Sequence, residues 1–368
     1  MFDLKIAKDD LLPRLLLVAG AVDKRQTLAI LANILFNIDN DQLRLTATDL
    51  EIEISAHMPC NQPNTRSAIT VPAKKFIDII RALDDQSQAN ISLKEDVLRV
   101  KAGRSLFKLA TLPAAQFPSS DNNTAELTLS IARTQLIYLL QSTHFAMSQQ
   151  DVRVYLNGLL FEIEAQTITT VGTDGHRMAI SRITLDDQAN AHRFLLPRKG
   201  VVEILRLLNA IADEHIHLQL SQNHFSLLTD EYKMTSKLID ARFPPYRRAI
   251  PTNNDKFILI DRDAFKKTLA RIMILANEKS RAVLMHIQPG SLTLIANNQE
   301  QEEAIESLEA QVDGQEIKIG INAGYLLDVL NYLPDGLVRL SMSSAEHSIL
   351  VESIIDEAYQ YVIMPMKL

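Results

Sequence analysis

The sequence predicts an α+β protein in which one unit of about 120 residues, with two helices and several strands, occurs three times. Three observations predict it. Four blocks recur at one spacing, short stretches alternate with period two, and longer ones repeat with a period near 3.6. The openings FDLKIAKDDLLPRLLLVAGAV from Phe2, LTLSIARTQLIYLLQSTHFAM from Leu127 and FILIDRDAFKKTLARIMILAN from Phe257 each read as a strand, a polar start and an amphipathic helix. Val71, Leu196 and Ile321 are 125 residues apart, and Leu112, Leu238 and Met364 are 126 apart.

Taken in order, each unit opens on that strand and places its first helix at 8–25, 131–148 or 261–273. LRLTATDLEIEIS at Leu43 matches ITTVGTDGHRMAIS at Ile168 and LTLIANNQEQEEAI at Leu292 as strand and turn. ITVPAKKFIDIIRAL, FLLPRKGVVEILRLL and IGINAGYLLDVLNYL then lead from a strand into second helices at 74–84, 198–208 and 322–332. Phe76, Ile79, Ile80 and Leu83 share one helix face, as do Val202, Leu205 and Leu208. Pro72 and Pro197 precede their helices, where a missing N–H does no harm. LFKLATLP, YKMTSKLID and YQYVIMPM close the units. Polar, turn-rich segments at 119–126 and 250–256 give boundaries of 1–122, 123–252 and 253–368.

Composition bounds the class. The chain has 368 residues, 46% hydrophobic and 23% charged, which is more than one core and ordinary for a globular fold. No apolar run approaches the roughly 18 residues of a membrane span. The N-terminus has early acids and no small-residue cleavage site, so it does not read as a signal peptide. A single cysteine, Cys60, excludes an intrachain disulfide and suits a reducing, cytoplasmic setting.

The net charge of −7 argues against a nucleic-acid binder until its distribution is considered. The six predicted helices carry +1, +1, +1, +2, +2 and −1 in chain order, a total of +6 that leaves −13 for strands and loops. Basic helices facing phosphates would bind duplex DNA without reading sequence; on charge alone, solvated helix faces are the favoured reading. VLRVKAGRSLFKLA carries Arg99, Lys101, Arg104 and Lys108, whereas EQEEAIESLEA carries Glu300, Glu302, Glu303, Glu306 and Glu309. Oppositely charged edge strands suit head-to-tail association into a ring or filament.

Catalytic and metal motifs are missing. There is no GxxxxGK[ST], GxGxxG or HExxH; His215 and His217 lack partners at metal-ligand spacing, and Cys60 lacks a companion His. Asp174 and His176 in TDGHR form the best acid–base candidate. Thr48-Asp49-Leu50-Glu51 stands at the same place in the first unit without a histidine, which favours a structural turn.

TATDLEIEI, TVPAKKF, QDVRVYLNG, TDGHR, LPRKG, TSKLIDARFPPYRR, NEKSR, NNQEQEEA and VIMPMKL together span the chain, and in these motifs it resembles the bacterial DNA sliding clamps, the β subunits of DNA polymerase III. The resemblance implies three repeated clamp domains, each with two helices packed on antiparallel sheets. It further implies a head-to-tail homodimer ring with helices inside around duplex DNA and sheets outside. No active site, metal or cofactor is implied. Partners would be DNA polymerase catalytic subunits, a clamp loader and other clients with short binding motifs.

DNA contacts carry over onto Arg25, Lys74, Arg104, Gln150, Arg153, Tyr155, Arg198, Lys199 and Arg281. The client-peptide cleft maps onto Leu156, Thr173, Gly175, His176, Arg177, Met178, Pro244, Arg248, Asn322, Tyr325, Ser348, Val362, Met364, Pro365 and Met366. At the dimer contact Phe107 and Leu109 would meet Ile274 and Leu275, flanked by Glu300, Glu302 and Glu303. Three positions depart from relatives: Val154 where an aromatic can stand, Leu106 in place of a base, and Glu346 where some carry an apolar residue.

An enzyme using Asp174 and His176, and a protein-binding repeat scaffold that encircles nothing, are the alternatives. The terminal QYVIMPMKL reads as the closing strand of the third unit, with Pro365 ending its ladder and Met364, Met366 and Leu368 forming one wall of the cleft.

Overall fold

In the computed structural model the described residues are 2–23, 28–62, 65–94, 97–118 and 124–367. They fall into two compact units, Met1–Arg133 with Val202–Leu238 and Thr134–Val201 with Ile239–Leu368.

In the first unit the chain forms β1 (Asp3–Ala7), α1 (Lys8–Val18), β2 (Asn33–Asp39), β3 (Gln42–Thr48), β4 (Ile52–Pro59), β5 (Arg66–Pro72), α2 (Ala73–Ala82), β6 (Gln88–Lys94), β7 (Val97–Ala102), β8 (Ser105–Ala110) and β9 (Leu127–Ala132). α3 (Arg133–Gln141), β10 (Gly158–Thr173) and β11 (Arg177–Pro197) follow, and α4 (Arg198–Ala210) leads back to β12 (His215–Leu220), β13 (His224–Leu228) and β14 (Tyr232–Lys237). One sheet has the order β1-β6-β7-β8, and the other β5-β2-β3-β4-β14-β13-β12-β9. Alternation sets which face is inside: Ile34, Phe36 and Ile38 are buried on β2, and Phe36 meets Phe76 of α2 edge-on at 5.5 Å. Ile77 joins Phe76 and Ile80 in the core, and Ile79 is only half-buried.

The second unit contains β10 and β11, then β15 (Lys256–Asp261), α5 (Arg262–Ile272), β16 (Ala282–Gln288), β17 (Ser291–Asn297), β18 (Glu303–Glu309), β19 (Gln311–Asp313), β20 (Ile317–Asn322), α6 (Ala323–Tyr332), β21 (Leu337–Met342), β22 (Ile349–Ser353) and β23 (Tyr359–Ile363). Its sheets run β10-β11-β23-β22-β21-β15-β19 and β18-β17-β16-β20. Asp261 caps α5 by accepting from the Ala264 N–H (2.8 Å), and Asn322 caps α6 by accepting from Gly324 and Tyr325 (2.9 and 3.3 Å).

The triplication is visible in one recurring contact. The base opening the first helix of each repeat donates to a carbonyl at the end of the second helix: Lys8 to Leu83 (2.5 Å), Arg133 to Leu208 (2.9 Å) and Arg262 to Leu333 (2.8 Å). A cation there satisfies an orphan carbonyl and faces the negative end of the helix dipole.

Two expected helices are shorter than the pattern suggests. The helix expected over 8–25 ends at Val18 in a 3₁₀ turn, Ala19–Ala21, because Arg206 donates to the carbonyls of Leu16 (2.8 Å) and Leu17. The helix expected over 131–148 stops at Gln141, and a separate 3₁₀ turn covers His144–Ala146. The acidic strand falls at a sheet edge as β18 in the second unit; of the basic pair only β8, which carries Lys108, is an edge in the first unit, with Arg99 and Lys101 on its inner neighbour β7. Glu306 is not free on that edge, since Arg271 and Thr268 of α5 bond it. No described helix is long and apolar enough to cross a membrane.

Candidate functional site

The turn Thr173–Arg177 is fixed by four local hydrogen bonds. The Thr173 hydroxyl donates to the Arg177 carbonyl (2.6 Å) and accepts from the Gly175 N–H (3.1 Å), while Asp174 Oδ1 accepts from the N–H groups of His176 (2.9 Å) and Arg177 (3.0 Å). Thr48–Ile52 repeats the same four bonds through Thr48 and Asp49. The Asp174 carboxylate thus secures a turn, as its counterpart does where no histidine is present.

Arg177 is held from several sides. Its guanidinium bonds Asp174 (3.1 Å), Asp328 of α6 and the Phe145 carbonyl (2.7 Å), and stacks on the rings of Tyr325 (4.5 Å) and Phe145 (5.4 Å). β11 then pairs with β23, Met178 opposite Val362, and the Met364 N–H donates to the His176 carbonyl (2.9 Å). The tail is therefore bonded to the turn.

A cavity of about 430 Å³ opens here within the second unit, a size that accommodates a short peptide's anchors. Met178, Phe243, Tyr246 and Val362 belong to one small apolar core cluster, Tyr155 packs against it, and all five line the cavity as its floor. Arg153, His176, Arg177 and Arg248 supply a basic rim. Tyr246 is oriented from behind, its hydroxyl donating to Glu162 (2.6 Å), a buried carboxylate also paired with Arg193 (3.3 Å) and Arg247 (3.2 Å). Burial first, and Glu162 second, push the Tyr246 phenol up to about 12. Arg153 bonds Asp151 through its side chain and holds that carboxyl down at about 2.

Of the expected cleft residues, Leu156, Thr173, Gly175, His176, Arg177, Met178, Pro244, Arg248, Ser348, Val362 and Met364 line the cavity. Asn322 does not, its side chain being engaged in capping α6, and Tyr325 lies on Arg177 outside the lining. Pro365 and Met366 also stand outside it. The Met366 N–H donates to the Gly320 carbonyl (2.8 Å) in an isolated bridge with β20, so the chain leaves one ladder at Pro365 and joins another sheet at once. Leu368 lies outside the described residues. Phe243, Pro245, Tyr246 and Ala249 also line the cavity beyond the expected set, and FPPYRR brackets all but Ala249.

Among the expected DNA contacts, Arg25 lies outside the described residues. Lys74, Arg104, Gln150, Lys199 and Arg281 are exposed. Arg198 is half-buried and donates to the carbonyls of His144 and Met147 (3.3 and 3.2 Å). Arg153 and Tyr155 border the cavity instead of standing apart from it. At the expected dimer contact Phe107 and Leu109 sit half-buried on β8, Ile274 is 77% exposed beside half-buried Leu275, and Glu300, Glu302 and Glu303 are exposed.

Triplicated α+β units in antiparallel sheets, oppositely charged sheet edges and a peptide-sized apolar cavity define a ring-clamp type of binding protein. Family models for the N-terminal, central and C-terminal domains of the DNA polymerase III beta subunit match residues 2–121, 130–245 and 247–367. The beta sliding clamp of Proteus mirabilis is 42% identical over 363 residues and that of Pseudomonas putida 41% over 364, each match covering 99% of both chains. The crystal structure of DNA polymerase III subunit beta from Pseudomonas aeruginosa aligns over 100% of both chains with a TM-score of 0.95 at 40% identity. A sliding clamp from the same organism, bound to griselimycin, gives the same TM-score and identity over 100% of this chain and 99% of that one. The chain belongs to the DNA polymerase III beta subunit family, the bacterial sliding clamps, with three clamp domains along its length.

Proposed function

We propose that the protein performs no reaction of its own and acts as a processivity subunit. As a head-to-tail homodimer it closes a ring around duplex DNA, with helices inside and sheets outside, and tethers replicative and repair polymerases. The observation that carries this reading is the separation of charge: helices α1 to α6 carry 0, +2, +1, +2, +3 and −1, a net +7 in a chain of net −7. Basic helices toward phosphates supply a sequence-independent attraction, to which Arg25, Lys74, Arg104, Gln150, Arg153, Tyr155, Arg198, Lys199 and Arg281 contribute.

Client motifs dock in the cavity beneath Met364. Its Met, Tyr and Pro surface adapts to related apolar anchors, each worth roughly 1.5–3 kcal/mol when buried. A few anchors, less ordering costs, give binding of about −8 kcal/mol, weak enough for polymerases and a clamp loader to exchange. Domain limits at 1–122, 123–252 and 253–368 and a cytoplasmic location complete the proposal.

The test is topological. Protein loaded on closed circular DNA should persist when salt is raised and leave once the circle is cut, because salt screens phosphate contacts and not a closed ring. Equal loss from linear and circular DNA would sink the reading.

A further inference from the structure

The outward faces of the two charged sheet edges each carry an apolar residue that the charge pattern does not explain. On β8, Phe107 and Leu109 register with buried Val100 and Leu98, so they belong to the core face; Leu106 and Lys108 lie on the opposite face beside Lys101 and Arg99. On β18, Ala304, Glu306 and Leu308 register with buried Ala296, Leu294 and Leu292, and Glu303 and Ile305 lie on the other face, Ile305 beside Ile295. Leu106 is 54% exposed and Ile305 59%. Leu106 thus stands between Arg104 and Lys108, and Ile305 between Glu303 and Ser307, each the one large apolar side chain on its outward face.

We infer that Leu106 of one copy packs on Ile305 of a second copy, an apolar contact inside an interface otherwise selected by charge. This rests on the head-to-tail homodimer proposed above. Among the described residues all four sheets are built of antiparallel ladders. A ladder continued across two edges must keep core face with core face, because a one-residue slip would turn every side chain over. An antiparallel pairing that sets Lys108 against Glu303 sets Leu106 against Ile305 on one face and Phe107 beside Ala304 on the other. Either two-residue shift instead places a base, Arg104 or Lys108, against Ile305. Only the first register matches charge with charge and apolar with apolar. Charge then selects the partner edge, and the apolar pair holds where salt screens the charges.

The test is a dimer dissociation series by native mass at falling concentration, on the full chain. Leu106→Ala and Ile305→Ala should each weaken the dimer about tenfold, and the double variant no more than about twofold beyond the weaker single. The Leu106→Ala factor should be the same at about 0.1 M and 0.5 M salt, since apolar burial is not screened. Both side chains are exposed within one copy, so unchanged melting of the diluted monomers checks that folding is intact. Multiplying single effects, or a Leu106→Ala factor that vanishes with salt, would overturn the pairing. A wild-type chain that stays monomeric at micromolar concentration would overturn the homodimer reading, and this inference with it.

Discussion

Leu50 and Gly175 occupy the same place in two copies of one turn, and both carry left-handed backbone, with φ of 74° and 89°. The two turns share their hydrogen bonds, so the second copy has the residue that the conformation suits and the first does not. Leu50 is 42% exposed and contributes little packing. Leu50→Gly should raise stability by about 0.5–1 kcal/mol, read as a higher urea midpoint at unchanged m-value. Gly175→Ala should lower it by a similar amount, because its Cβ would also come within 3.2 Å of Arg153. A drop in stability for Leu50→Gly would show that its side chain matters more than its backbone.

Glu162 sets the position of Tyr246 from behind the cavity. Glu162→Gln removes the charge that disfavours phenolate, so the Tyr246 pKa should fall from about 12 but remain above 10, burial being the larger cause. Spectrophotometric titration against Tyr246→Phe reads this directly. Glu162→Leu leaves the Tyr246 hydroxyl without its acceptor and should weaken client-peptide binding together with stability, by about 1–3 kcal/mol of the latter. An unmoved titration would separate the carboxylate from the cavity wall.

Acid should destabilise the second unit through His144. Burial, with Arg198 nearby, lowers its pKa from 6.5, although Nδ1 donates to the carbonyls of Leu140 and Gln141. Below pH 6.5 the unfolded chain takes up a proton that the folded chain resists, so stability falls as pH drops from 6.5 toward the lower folded value. Denaturant melts between pH 7.5 and about 5 should show this loss, and His144→Gln should flatten it. His57 is lowered too, by burial and by Arg44 and Lys233, and should account for part of the slope that remains.

Met364 and Met366 should separate by phenotype. Met364 is 45% exposed in the cavity wall, and Ser348 donates to its sulfur (3.1 Å). Met364→Ala should weaken client peptides about tenfold with melting unchanged. Truncation after Met364 removes the bridge from Met366 to Gly320 and should cost about 1 kcal/mol of stability with little loss of peptide affinity. Calorimetric titration and melting of both variants check the pair, and a truncation that abolishes peptide binding would restore a binding role to the last residues.

Much of the fold was legible because it repeats. The spacing of 125 locates the turns at Asp49 and Asp174, and the acidic run marks β18 as an edge, whereas the basic run is shared between the edge strand β8 and its inner neighbour β7. The end of α1 was not legible, since Arg206, which takes its last carbonyls, is 190 residues from Leu16 in sequence. The floor of the cavity was hidden for a similar reason: Glu162 meets Tyr246 across 84 residues, and no local pattern marks that pair. Met366 shows how far a periodic reading reaches. Apolar alternation in VIMPMKL implied one wall, whereas Pro365 divides the stretch between two sheets.

The ladders between β4 and β14, and between β11 and β23, join strands from successive repeats. Each compact unit therefore takes part of the middle repeat, with β9 and β12 to β14 on one side and β10 and β11 on the other. A fragment cut at a repeat boundary would keep its own sequence copy intact and still present β4 or β23 as a bare, aggregation-prone edge. In this chain the sequence copies end at the repeat boundaries and the sheets do not.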